Sequence, residues 1–206
     1  MTLEDLIRRA KVWRAGEVPS ESGLATGFPL LDAMLPGHGW PRAALTEILT
    51  DHPGIGALRL VLPALASLTR DERWLIWVAP PHIPYAPALE RLGVELTRLL
   101  IVDTETPAVN DSEQMLWVFE QALRFSGCGA ALAWVETIDQ LRLRRLQLAC
   151  EAGGSWGVMF RPLRFSQQAS PASLRLSLLP GDSGSVHVNI LKCRGRLRAQ
   201  RCELVL

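Results

Sequence analysis

Apolar residues in this chain form two alternating patterns. Short unbroken runs at 44–49, 74–79, 99–102, 130–135 and 156–160 predict buried β-strands. Between them lie segments of helical periodicity. One, after Gly56, carries Leu58, Leu60, Val61, Leu62, Leu65 and Leu68, with Pro63 set to kink it or mark its first turn. A short one at 89–92 is closed by Gly93. Asp111-Ser112-Glu113 opens the next, with Met115, Leu116, Val118, Phe119, Ala122, Leu123 and Phe125 on broad apolar faces. Another runs from Asp139 through Leu141, Leu143, Leu146, Leu148 and Ala149 to Gly153-Gly154.

Alternation of this kind predicts an α/β fold: a mostly parallel sheet with helices on both faces. After Phe160 the pattern changes. The segments 174–178 and 186–192 alternate apolar with polar residues around Pro180-Gly181-Asp182-Ser183-Gly184, which predicts an antiparallel C-terminal hairpin. Upstream, a short helix is expected around 30–35. Residues 3–14 read as a terminal amphipathic helix, with Leu3, Leu6, Ile7, Ala10 and Trp13 on one face. The polar connector after it divides the chain into 1–23, helix and linker, and 24–206, one domain. That helix either covers its own domain or mediates association.

With 48% hydrophobic and 21% charged residues, the balance is that of a globular protein. No apolar run reaches the roughly 20 residues that span a bilayer. The first residues are too charged for a signal peptide, so the chain is read as cytoplasmic. Cys128, Cys150, Cys193 and Cys202 lack metal-like spacing, and buried or incidental thiols are expected. The net charge of +1 is unevenly spread: residues 161–206 hold eight bases and two acids. Lys192, Arg194, Arg196, Arg198 and Arg201 recur mostly every second residue, and Arg161 and Arg164 follow the fifth strand. One strand face carrying them would contact DNA backbone or an acidic partner surface, or be solvated only.

Candidate chemistry centres on Ala44 to Leu60, where a strand, a turn with Pro53, Gly54 and Gly56, and a helix follow one another. That is the layout of a phosphate-binding loop. The loop has no lysine or magnesium-binding hydroxyl after Gly56, and the chain's two lysines, Lys11 and Lys192, are distant in sequence. Gly54, Gly56 and Glu136 are therefore read as a vestigial site, or as a tight turn and a strand-end acid. No cofactor, metal or catalytic residue is expected. His38, His52, His82 and His187 form no triad pattern, and there is no G-x-S-x-G elbow. Trp117, Trp134 and Trp156 suit the core; Trp13, Trp40 and Trp77 suit partner anchors or core equally.

Thr26-Gly27, Leu31-Asp32, Leu35, Gly39-Trp40-Pro41 and Glu47-Ile48, with Leu92-Gly93-Val94 and Ser126-Gly127, resemble the RecA recombinase ATPase core over roughly residues 24–160. With the degenerate loop, Arg161-Pro162 and Leu191-Lys192-Cys193-Arg194-Gly195, the chain more closely resembles the ImuA family of RecA-like translesion-synthesis accessory proteins. This resemblance implies a non-catalytic SOS-response protein with a degenerate ATPase core. Its implied partners are an inactive Y-family polymerase homologue, an error-prone replicative-type polymerase and RecA, with DNA contacted directly or indirectly. The middle of the chain, at Arg73-Trp74-Leu75-Ile76-Trp77 and Gly157-Val158-Met159-Phe160-Arg161-Pro162, is similar to the SulA division inhibitors, which implies binding to FtsZ. An active DNA-dependent ATPase is a third reading.

Overall fold

The computed structural model describes residues 22–52, 54–103, 111–195 and 200–206. The N-terminal association helix (Leu3, Leu6, Ile7, Ala10, Trp13), Arg196 and Arg198 lie outside the described residues. Among the described residues the α-helices are α1 Pro29–Met34, α2 Ala57–Arg70, α3 Ala86–Arg91, α4 Asp111–Arg124 and α5 Gln140–Gly153. The strands are β1 Leu45–Leu49, β2 Trp74–Val78, β3 Leu99–Val102, β4 Cys128–Trp134, β5 Trp156–Arg161, β6 Leu174–Pro180, β7 Ser185–Cys193 and β8 Gln200–Val205.

They form one sheet in the order β3-β2-β4-β5-β1-β6-β7-β8. The pairs from β3 to β6 are parallel, and β6–β7 and β7–β8 are antiparallel. β1 is central, with Thr46 opposite Val158 on one side and Leu174 on the other. On one face Ile48, Leu75, Trp77, Leu132, Val158 and Leu176 pack with α2. On the other, Leu45, Ile76, Ala131 and Met159 pack with α4 and α5.

The expectation of a RecA-like core, a mostly parallel sheet with helices on both faces, is corrected here. The sheet is mixed, and past β1 the helical cover stops on one face. There β6 and β7 present Arg175, Ser177, His187 and Asn189, and β8 presents Arg201 and Glu203. The physical reason is the alternation of these strands. From these strands Leu174, Leu176, Leu178, Val186, Val188, Ile190 and Leu204 join the apolar core, and the opposite, mostly polar face offers a helix little to pack on. The chain also gains a strand: it turns at Arg194-Gly195 and returns as β8.

Local chemistry explains the segment before β1. Thr26 N donates to Asp32 Oδ1 at 2.9 Å, and Phe28 N to Thr26 Oγ1 at 3.0 Å, which ties the start of α1. Gly27 has φ +85°, and a Cβ there would lie 2.6 Å from Pro63 Cβ. Only glycine lets this loop pass so close to α2. Pro63 sits inside an unbroken helix rather than in its first turn. Trp40 stacks on Trp156 with centroids 5.3 Å apart, and Trp156 Nε1 donates to Thr46 Oγ1.

Candidate functional site

The carboxyl ends of β1, β2, β4 and β5 open onto one groove of about 880 Å³. Ligands of open α/β sheets bind at such strand ends. β2, β4 and β5 deliver Trp77, Trp134 and Phe160 there. Trp134 stacks on Phe160, with centroids 5.0 Å apart and planes at 24°, and Trp77 meets Trp134 edge-on at 6.1 Å. These three rings line the groove's inner side.

One wall is the turn after β1 with the start of α2. Gly54 and Gly56 have φ of +81° and +95°, and Gly56 caps α2. A Cβ on Gly56 would lie 2.9 Å from Leu206 Cδ1, so the Leu206 side chain packs against the start of this helix. The opposite wall is Pro80, Pro81, His82, Ile83 and Pro84. Three prolines fix φ there and remove backbone donors. Ala79, just before, takes a left-handed φ of +46°. The wall holds Ile83 94% exposed.

The groove's acids are engaged. Asp51 Oδ1 accepts from Leu163 N at 2.8 Å, and Glu136 Oε1 pairs with Arg164 Nη2 at 2.7 Å. Beside the groove lies a buried charge cluster. Arg161 Nη1 meets Glu47 Oε2 at 3.0 Å with both side chains fully buried. Arg175 Nε approaches Glu47 Oε1 at 3.5 Å, and Ser170 Oγ donates to the same carboxylate. Arg175 also donates to the carbonyls of Phe165, Ser166 and Gln168. The two arginines thus hold residues 162–171 onto the sheet.

Gly54, Gly56, Glu136, Arg161 and Arg164 line one groove, as the vestigial-site reading places the first three. Those basic residues that lie among the described ones are not gathered on one strand face. Arg161 is buried against Glu47. Lys192 is on β7, half-buried, and its Nζ donates to Ser170 O; burial and then Arg175 lower its pKa. Arg194 is in the turn, 3.7 Å from Glu151, and Arg201 is on β8. The strand spacing read through 192–201 is broken by Gly195, at φ +88°.

The tryptophans also redistribute. Trp40 and Trp77 are fully buried, whereas Trp117, read as core, is 60% exposed on α4. The groove's apolar character was missed because Trp134 and Phe160 read simply as strand residues. The available signal was three prolines and an isoleucine where a polar loop would follow β2.

No group of three or more His, Cys, Asp or Glu among the described residues is placed to hold a metal ion. Burial pushes the Cys128 thiol up to about 12 and raises Cys150 and Cys202 as well, which disfavours the nucleophilic thiolate. No helix among the described residues is long and apolar enough to cross a membrane.

With this geometry in place, comparison with known proteins defines the class. Residues 44–157, more than half of the chain, match the family model "Cell division inhibitor SulA". The SulA of Serratia marcescens is 28% identical over 129 residues, 61% of this chain and 72% of that protein. A crystal structure of SulA from Pseudomonas aeruginosa is 27% identical, covers 59% of this chain and 99% of its own, and superposes with a TM-score of 0.47. Protein ImuA of Caulobacter vibrioides is 30% identical over 196 residues, 87% of this chain and 78% of that protein. The chain belongs to the ImuA family and carries a SulA-family core.

Proposed function

We propose that this protein is a non-catalytic accessory factor of the SOS response that serves error-prone translesion DNA synthesis through protein contacts. Its partners in this reading are an inactive Y-family polymerase homologue and an error-prone replicative-type polymerase. The observation that carries the reading is the nature of the groove. Where a ligand would be transformed, the groove has aromatic rings, prolines and two acids already bonded, and no lysine among its lining residues. Phosphoryl transfer needs positioned cations and a base around the phosphate. An apolar groove suits recognition instead. The likeness to ImuA along most of the chain supports the choice of process.

The test is co-expression of the tagged protein with the source organism's polymerase homologue. A stable complex is expected, together with ATP hydrolysis no higher than background with or without single-stranded DNA. Failure to recover the complex overturns the reading. The match of residues 44–157 to the SulA model favours a second one, division inhibition. Inhibition of FtsZ GTPase activity by the purified protein would select it.

A further inference from the structure

We propose that the groove at the strand ends receives a short acidic segment of a partner protein that presents a bulky apolar side chain. This rests on the interaction role given above and specifies the partner's chemistry.

The apolar half of the argument is the floor and one wall. Trp134 and Phe160 form a stacked platform, and Ile83 stands 94% exposed on a proline-stiffened wall beside it. Pro80, Pro81 and Pro84 fix φ at their own positions and Pro84 biases Ile83 to extended backbone, so Ile83 is presented outward for another molecule to cover. Ala79 adds a strained backbone at the base of the wall, and strain of this kind concentrates at binding segments.

The polar half is charge complementarity. Both acids lining the groove are bonded, to Leu163 N and to Arg164, and Arg161 is offset by Glu47. Arg59, His52 and His82 line the same groove, and their side chains have no ion pair or hydrogen bond with the described residues. The fourteen-residue α2 begins at that wall, where its first N–H groups add positive potential. In the floor, the buried Trp77 Nε1 has no acceptor. The groove therefore offers donors and positive potential over aromatic rings. A basic segment would set like charge against Arg59. A segment with carboxylates beside a bulky apolar residue satisfies both halves. A nucleotide triphosphate is a poorer match, since Leu206 already packs on Gly56 and no lysine lines the groove.

The probes are three fluorescein-labelled decapeptides followed by anisotropy against the full-length protein: alternating Glu and Phe, alternating Lys and Phe, and alternating Glu and Ser. The Glu/Phe peptide should bind at least about tenfold more tightly than either control, since both the charge and the anchor contribute. Arg59→Glu and Ile83→Ser are at exposed positions. Each should weaken the Glu/Phe peptide about tenfold while leaving the circular dichroism spectrum unchanged. The proposal is overturned if the Lys/Phe or Glu/Ser peptide binds equally well, if both variants bind as wild type does, or if ATP displaces the peptide at concentrations near the peptide's own Kd. The two readings separate in the co-expression assay. A polymerase-homologue complex that survives both substitutions removes the groove assignment alone, whereas no complex with the wild type removes the interaction role.

Discussion

Glu47 faces two arginines from the middle of the central strand, and water reaches none of the three side chains appreciably. Removing the carboxylate would leave Arg161 without its ionic partner in a desolvated site. Breaking a buried pair this way typically costs about 3–5 kcal/mol. Glu47→Ala should therefore lower unfolding stability by about that amount in chemical denaturation. The double change Glu47→Ala with Arg161→Met should recover a good part of the loss, because the charge left there, Arg175, still donates to the carbonyls of Phe165, Ser166 and Gln168. A double variant no more stable than Glu47→Ala would show that Arg161 is held by Gln168 and Phe165 rather than by the carboxylate.

Between elements, one close approach is that of the Gly27 loop to α2. Gly27→Ala would force an L-residue to φ +85° and set its Cβ 2.6 Å from Pro63 Cβ. Left-handed backbone and overpacking together should cost about 2–4 kcal/mol in thermal or denaturant unfolding. Gly54→Ala is the matched control, with φ +81° and nothing within 4 Å of the new Cβ. It should lose only the conformational part, about 1–2 kcal/mol. Equal losses at the two positions would mean that Pro63 yields. This contact also shows why the Thr26-Gly27 motif could be noticed in the sequence while its purpose could not: Pro63 is far along the chain. The first five strands were legible because each is a continuous apolar run, and their bounds shift by only a residue or two. β8 was not, because Gln200–Val205 is a polar edge strand whose Arg201 was grouped with the basic residues before it. The glycine at 195 marked the turn that the spacing concealed.

At the scale of the whole molecule, the sequence located the site but did not reveal its character. The glycines of the turn after β1 pointed to the right end of the sheet. Trp77, Trp134 and Phe160 come together only once β2, β4 and β5 are side by side, so no local pattern announces their platform. The same long-range assembly has a bearing on how the chain is made. β1 is synthesised before every other strand of the described sheet, yet both its neighbours, β5 and β6, lie more than a hundred residues downstream. At roughly 5–20 residues per second of translation, Leu45–Leu49 waits on the order of 5–20 seconds with both edges unpaired. A fragment ending at residue 153 would keep it in that state, and should be recovered aggregated or cleaved under expression conditions that yield soluble full-length protein. Soluble, protease-resistant fragment would contradict this. A nascent chain whose central strand stays open so long is a client for chaperones and proteases, so the cell's quality-control machinery can set the amount of this protein before its first partner is met.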